Sequence, residues 1–377
     1  MQKKLLVLAA GILQVPVIKK AKEMGIYVIA ADGDPEAVGL KYAEKAIVVN
    51  ITSEEEVLKV AREEQIDGVI HPCSEVSMNV MGRIHDELNL SGVSRKQAVV
   101  ATNKHLMREA FKKGDAPSPV SILAKSAEDA WEHFCNDFDT NAILKPSRNS
   151  GSRGIAKVER GISKEEFIRL YDIALEESRD NSVLIEQFIE GPEFSVEIIV
   201  WEGRVNVLTV TDKKTTEAPH FVELGHNQPS CFPDETVTLI KDAAVRGVKA
   251  LGVDKCACHA EVKVQDGKAY LMEIGARMGG DFIGSNLVKL STGYDFLEGV
   301  VKVAMGDFVK PVLSENNYSG VYFLSKETER LLPIIEHWKK YPDLVEAQIT
   351  CRELKTIECS GDRSGYMIYK SNHKVVF

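Results

Sequence analysis

Two acids and an arginine in the second half of the chain carry the strongest chemical signal. Residues 259–280 read HAEVKV, a turn at QDGK, then AYLMEIGARMGG. Two runs with period-two alternation around an Asp-Gly are the signature of a β-hairpin. In the first run Ala260, Val262 and Val264 share one face, and His259, Glu261 and Lys263 share the other. In the second, Tyr270, Met272 and Ile274 are expected to form the apolar face, with Glu273 and Gly275 opposite. For the two apolar faces to coincide, even-numbered residues must pair with even ones. A loop of about three residues gives that register and sets Glu261 across from Glu273. Carboxylates so paired repel, with Cβ atoms about 4.5–5.5 Å apart, unless a cation sits between them. Ligands that are all oxygen suit Mg²⁺, which takes one or two carboxylates together with substrate phosphates. Arg277 follows four residues after Glu273 and suits an anion. The same pattern also fits an ordinary solvated hairpin face, so the rest of the chain must decide.

Upstream lie groups that can meet phosphate. Asn103-Lys104 opens a helix, NKHLMREAFKKG, and AILKP (142–146) is a strand carrying Lys145. The loop SRNSGSRG (147–154) then leads into a second strand, IAKVE. A Walker loop would feed a helix and carry its own lysine. This loop joins two strands, but its glycines still let backbone N–H groups approach phosphate oxygens closely. Read alone, it is equally a mobile hairpin tip. Glu186 and Glu193 bracket a Gly-Pro turn in EQFIEGPEFSVE, and residues 213–232 form a long polar stretch with Lys213, His220, Glu223 and His226. Loops of that length in compact domains tend to be functional or disordered.

The elements that position these groups follow an α/β order. Residues 3–31 read strand, helix, strand, and AIVVN (46–50), a helix from Ser53 and DGVIHP (67–72) continue the alternation of an open parallel sheet. Ser53 with Glu56 reads as a capping box. No G-x-G-x-x-G follows the first strand, so Asp32 at the end of the second is read as structural rather than ribose-binding. His71-Pro-Cys-Ser-Glu75 lies at the carboxyl edge of a strand, where open sheets bind ligands. Lys3-Lys4 before LLVLAAGIL imitates a secretory signal, but an amphipathic helix follows with no small-x-small cleavage site, so a first strand is expected. The final 70 or so residues mix short strands with one helix and show no recognisable chemistry. At 377 residues, 44% hydrophobic and 27% charged, the chain can bury a large core in two or three domains. Its net charge of −9 gives no basic field for nucleic acid or an anionic membrane, and no apolar run approaches the ~20 residues of a membrane span. Seven cysteines without a C-x-x-C read as reduced thiols of a cytoplasmic protein.

The ordered set Asn103-Lys104, Lys145-Pro146 with SRNSGSRGI, EQFIEGPEFSVE, HAEVKV and MEIGARMGG resembles the ATP-grasp superfamily over roughly residues 1–310. More narrowly, it resembles carboxylate–amine ligases grouped with L-amino-acid ligases and single-module relatives of the carbamoyl-phosphate synthase large subunit. The resemblance implies an N-terminal parallel α/β domain (1–95), an ATP-grasp subdomain with the lysines and Gly-rich loop (96–188), a second with the metal and substrate site (189–310), and a small C-terminal α+β segment (311–377). It implies that Lys104 and Lys145 touch nucleotide phosphates and that the loop with Ser152 and Gly154 closes over them. Glu186 to Phe188 would line the adenine pocket and Glu193 would bind ribose. Glu261 and Glu273 would hold Mg²⁺, and Arg277 the phosphorylated carboxylate. Many members read Glu-x-Asn at the second metal acid, the Asn serving a second ion. Here Gly275 stands in that place, which leaves one or two ions open.

The implied reaction is acyl activation. A carboxylate, with an amino acid as the expected case, takes the γ-phosphoryl group of ATP, and an amine displaces phosphate from the acyl phosphate. The partners expected are therefore small molecules, with no nucleic acid or membrane, and a homodimer is the common assembly. Two alternatives remain at this point: a phosphotransferase that stops at a phosphorylated product, and a non-catalytic nucleotide-binding protein.

Overall fold

A computed structural model describes residues 2–149, 153–216, 220–375 and 377. The chain begins with a parallel sheet of strands β1 (Lys4–Leu8), β2 (Tyr27–Asp32), β3 (Lys45–Val48) and β4 (Gly68–Ile70), in the order β3-β2-β1-β4. Leu5 to Leu8 are fully buried, as a central parallel strand covered on both faces requires. Asp32 accepts the backbone N–H groups of Ala10 (2.7 Å) and Asp34 (2.9 Å), so it holds the loop after β1 as a structural residue. Ser53 precedes the helix Glu54–Glu64 but makes no side-chain cap. A capping box is found instead at Ser94, whose hydroxyl accepts from Gln97 N–H while the Gln97 side chain accepts from Ser94 N–H.

A second sheet is antiparallel: β5 (Ser121–Ala124), β6 (Ala142–Pro146), β7 (Ala156–Val158) and β8 (Val183–Gln187), in the order β5-β8-β6-β7. The helices Ala127–Asp137 and Lys164–Glu176 cover it, with Phe134 and Phe167 stacked at 5.5 Å in the core between them.

The third sheet is the largest. It contains β9 (Glu193–Trp201), β10 (Arg204–Thr215), β11 (Glu223–Gln228), β12 (Cys256–Gln265), β13 (Lys268–Gly275), β14 (Tyr318–Leu324), β15 (Leu344–Ile349) and β16 (Gly365–Ser371). The order is β13-β12-β9-β10-β11-β14-β16-β15, with antiparallel pairing throughout. The helix Asp234–Leu251 packs on it closely enough that a Cβ on Gly247 would meet Ile274 and Leu271 at 2.6 Å.

Three expectations change here. The segment 213–232 is largely a hairpin, because β10 and β11 pair from Asp212↔Asn227 to Thr215↔Glu223. Its strand character was masked because the side chains facing the cleft are polar, so no apolar alternation marks it. The strands after residue 310 continue the large sheet through the β11–β14 pairing. Finally, the β12–β13 hairpin turns through only Asp266 and Gly267, both at positive φ (50° and 70°), with Gln265 opposite Lys268. That two-residue turn makes Ala269 and Leu271 the buried positions rather than Tyr270 and Met272. A β-bulge at Met272 then shifts the register by one, so that Ile274 is buried and Glu261 sits opposite Glu273 after all.

Removal of residues 311–377 would bare the edge of β11 and strip Val321, Phe323 and Ile368 from Ile283 and Leu287. An uncovered edge strand beside exposed apolar surface templates aggregation. The truncated chain is expected to lose soluble yield and elute as aggregates on size exclusion. A monodisperse folded product would show that the C-terminal strands are dispensable for the sheet.

Candidate active site

A cleft of about 850 Å³ opens between the three sheets and is lined by Lys104, Lys145, Glu193, Glu261, Glu273 and Arg277. Groups separated by up to 173 residues (Lys104 to Arg277) thus meet in one place. Phe188 joins them, within 6.4 Å of Phe221 and beneath the ammonium groups of Lys157 (4.9 Å) and Lys263 (5.4 Å). This end of the cleft is aromatic and apolar with cationic rims. Ser152 lies outside the described residues. Gly154 has φ +69°, and a Cβ there would meet Glu177 at 2.6 Å and Pro146 at 2.9 Å, so backbone conformation and close packing both demand glycine.

Glu186 does not face the cleft. Its side chain is fully buried and pairs bidentately with Arg108 (2.8 and 3.1 Å) and with Lys145. Two cations share one carboxylate. Burial opposes the charge on Glu186, but Arg108 and Lys145 overcome it and hold the carboxyl at about 2. Burial brings Lys145 down to about 8, because Glu186 only partly offsets burial and the adjacent Arg108. The side chain of Glu186 therefore positions Lys145, while Gln187, Phe188 and Ile189 supply the cleft wall. Arg108 also donates to the carbonyl of Met272 (2.8 Å), the residue the bulge leaves without a ladder partner.

Lys104 sits in the first turn of the helix Lys104–Lys113, capped by Asn103 accepting from Leu106 N–H (2.9 Å). Its ammonium donates to Asn149 O (2.9 Å) and to Glu273 (3.1 Å). Burial opposes its charge, yet Glu273 and Glu75 raise its pKa. On the other side Lys213 donates to Glu261 (2.9 Å) and Glu193, with Glu223 at 3.6 Å. Burial opposes the Glu261 charge too, but Lys213 and His259 hold it well below the usual carboxylate range. His259 pairs with buried Glu197, whose other oxygen accepts Gly279 N–H (2.9 Å). Burial alone would lower His259, and Glu197 raises it to about 9.

The two hairpin acids fit a divalent cation in donor type and placement, as paired carboxylates facing a cleft. Among the described residues no group of three or more His, Cys, Asp or Glu is arranged to hold a metal ion by itself. Ligand oxygens and water would have to complete the coordination.

The loop after β4, expected to border a ligand site, does line the cleft with Cys73 and Glu75, and Arg277 donates to Glu75 (3.3 Å). Burial pushes the Glu75 carboxyl up; Arg277 opposes this and Glu273 adds to it. From the C-terminal strands, Arg363 reaches Asp281 (2.9 Å) and Glu223 (3.1 Å) while stacking on Phe323 at 3.8 Å, and His226 lies 3.5 Å from Asp281. A lone arginine before a short strand carries no motif, so sequence offered no sign of Arg363.

Residues 138–285 match the ATP-grasp domain family. The protein is thus a mixed α/β chain in which a parallel-sheet domain precedes an ATP-grasp fold. Alanine–anticapsin ligase of Bacillus subtilis is 25% identical over 246 residues, covering 60% of this chain and 51% of that protein. The carbamoyl phosphate synthase large chain of Methanothrix thermoacetophila is 22% identical over 305 residues, covering 76% of this chain and 27% of the other. The chain spans about half the length or less of these curated relatives. The crystal structure of L-amino acid ligase from Bacillus licheniformis superposes with a TM-score of 0.81 over 99% of this chain and 94% of that one, at 20% identity. That degree of identity carries the fold. No helix among the described residues is long and apolar enough to cross a membrane.

The buried Glu186 group makes a pH prediction. A carboxyl held at about 2, against about 4.3 for an ordinary glutamate, stabilises the fold fully above about pH 4.3 and loses that contribution as pH falls toward 2. The Glu186→Gln variant should flatten this part of the urea-midpoint profile. Glu186→Ala, which leaves Arg108 and Lys145 without their anion, should cost about 3–5 kcal/mol at neutral pH. Equal urea midpoints for parent and Glu186→Ala would remove the structural role.

Proposed function

We propose that this protein is an ATP-dependent ligase that phosphorylates a small carboxylate, an amino acid, and joins the acyl phosphate to an amine, releasing ADP and phosphate. The observation that carries the reading is the convergence of Lys104, Lys145, Glu261, Glu273 and Arg277 on one cleft with an aromatic end at Phe188. In this reading the adenine ring lies against Phe188 and the ribose hydroxyls meet Glu193. Lys104 and Lys145 exchange Glu273 and Glu186 in part for phosphate oxygens. Glu261 and Glu273 hold Mg²⁺, which when bound neutralises charge on the transferring phosphoryl group. With the lysines, the site acts mainly by positioning and electrostatics. Arg277 presents a planar fork to the carboxylate and then to the acyl phosphate. The acyl phosphate is labile to water, so a covering segment such as 147–154 has a clear purpose. Amine attack on the acyl carbon expels phosphate and needs no protein nucleophile.

Support from relatives is consistent. Alanine–anticapsin ligase and L-amino acid ligase are named for joining amino acids, and a biotin carboxylase domain sharing this fold was crystallised with MgADP. The closed set of small-molecule partners, ATP with Mg²⁺ as the nucleotide, and a homodimer as the assembly are part of the same proposal, as are the domain limits given by the resemblance.

The decisive experiment screens carboxylates with ATP and hydroxylamine. The right carboxylate should give ADP and a hydroxamate together. Arg277→Lys should lower the hydroxamate rate on the order of tenfold or more, about 1.4 kcal/mol per decade, while ATP still binds. Glu273→Gln should abolish most Mg²⁺-dependent turnover while thermal melts show a folded protein, because the amide oxygen can still accept from Lys104 and the like charge beside Glu75 and Glu261 is removed. ADP formed together with a stable phosphorylated product, with no hydroxamate or amide from any carboxylate, would replace the ligase by a phosphotransferase.

A further inference from the structure

Beside Lys104, three stretches distant in sequence meet, and one carboxylate joins them. Asp180 lies in the turn between the helix Lys164–Glu176 and β8. One of its oxygens accepts the Ser147 hydroxyl (2.5 Å) and the Asn103 side-chain amide (3.3 Å), and the other accepts the Ser178 hydroxyl (2.9 Å). Ser147 follows β6 directly and opens the Gly-rich loop, while Asn103 caps the helix that begins with Lys104. Backbone bonds draw the same stretches together. Lys104 N–H donates to Ser147 O (2.9 Å), Ser147 N–H to Ser182 O (2.9 Å) and Arg179 N–H to Arg148 O (3.1 Å). Asn149 then spans both sides, donating its side-chain amide to Glu177 O (2.7 Å) and accepting Lys104 Nζ on its carbonyl (2.9 Å).

Asn103 uses both ends of its amide. The oxygen accepts Leu106 N–H (2.9 Å) and so caps the helix, and the NH₂ group donates to Asp180. Aspartate would cap as well. It has no proton to give, however, and would set a second carboxylate against Asp180. The cap fixes the first helical turn and with it Lys104. Asp180 in turn fixes the cap against the start of the loop, through bonds strengthened by its charge. Asp180 does not line the cleft, and none of Asn103, Ser147, Ser178 and Asp180 belongs to the apolar core around Phe134 and Phe167. Their junction is polar, and what it sets is the placement of Lys104 relative to residues 147–149.

We infer that Asp180 is a positioning residue for the phosphates of the nucleotide: it holds the Lys104 ammonium and the start of the Gly-rich loop, residues 147–149, at a fixed separation, so that both meet one polyphosphate. The inference rests on the nucleotide-binding part of the proposed function and goes beyond it by giving a role to a residue outside the cleft. Asp180 touches no nucleotide atom in this scheme and acts through Asn103 and Ser147. Electrostatics alone would give the opposite sign, since a carboxylate near a polyphosphate repels it. An affinity that falls when this negative charge is removed therefore reports lost placement.

The test measures binding of a non-hydrolysable ATP analogue with Mg²⁺ by calorimetry, which needs no turnover, beside thermal melts. Asp180→Ala should weaken binding about tenfold, as expected for lost hydrogen bonds to a charged group. Asn103→Asp keeps the helix cap and should weaken binding by a similar factor. Adding Asp180→Asn to Asn103→Asp exchanges donor and acceptor, and should restore affinity to within about twofold of the parent. In steady-state assays the single variants should raise KM for ATP and leave KM for the carboxylate unchanged. The variants should melt as folded chains, so that the rescue reports geometry. A folded Asp180→Ala that binds the analogue as tightly as the parent, or more tightly, would overturn the inference. So would an exchanged pair no tighter than Asn103→Asp alone, because independent effects do not rescue one another. Should Asp180→Ala fail to fold, Asn103→Asp and its rescue decide alone. A parent that binds no nucleotide would overturn the nucleotide-binding reading and this inference together. A parent that binds, with variants unchanged, would overturn the inference alone.

Discussion

A single buried ammonium group holds the centre of the cleft together. The Lys213 side chain is 4% exposed and reaches carboxylates from three other strands: Glu193 on β9, Glu223 on β11 and Glu261 on β12. Charges about 4 Å apart near a protein surface interact by roughly 4 kcal/mol, so these acids would repel strongly without it. Strand order makes the convergence possible. β12, β9, β10 and β11 are neighbours in one sheet, and each presents charged residues to the cleft. Registers such as Lys213↔His226 and Glu261↔Ser195 then set which residues meet.

The far side of the cleft follows the same logic of prior charge balance. Lys104 and Lys145 come from different elements, and each is matched to an acid, Glu273 and Glu186. Arg108 links these layers by gripping Glu186 in the antiparallel four-stranded sheet and the Met272 carbonyl in the large one. A polyanion entering the cleft exchanges internal partners for its own oxygens instead of meeting bare cations. That arrangement lets so many ionised side chains share one partly buried space.

Much of this was legible in sequence because it rests on local pattern. The alternation of strands and helices, the Asp-Gly turn and the spacing of Glu273 to Arg277 all follow short-range rules. The opposition of Glu261 and Glu273 was reached by a register argument whose parity was wrong at the turn and right at the acids. The bulge at Met272 cancels the error, and a bulge leaves no reliable mark in one sequence. The strand character of β11 stayed hidden because its face toward the cleft is polar. Glu186 looked like a ligand-facing acid, but its burial depends on Arg108, 78 residues away in the chain. Glu75 was placed at a ligand-binding sheet edge by the strand pattern, but its pairing with Arg277 was not, and Arg363 and Asp281 meet only through tertiary contacts between distant segments, which no periodicity reports.

The bulge also separates two registers within one hairpin. Near the tip, pairing follows the two-residue turn at Asp266 and Gly267. Beyond Met272 it follows β9, which holds β12 along its other edge from Cys256 to Lys263. The tip therefore behaves as a replaceable cap. A change in its length re-pairs a few residues up to the bulge, while the opposed acids keep their place against β9. Drift by insertion and deletion, or an engineered graft, is better absorbed at this corner than on the strands at the cleft floor.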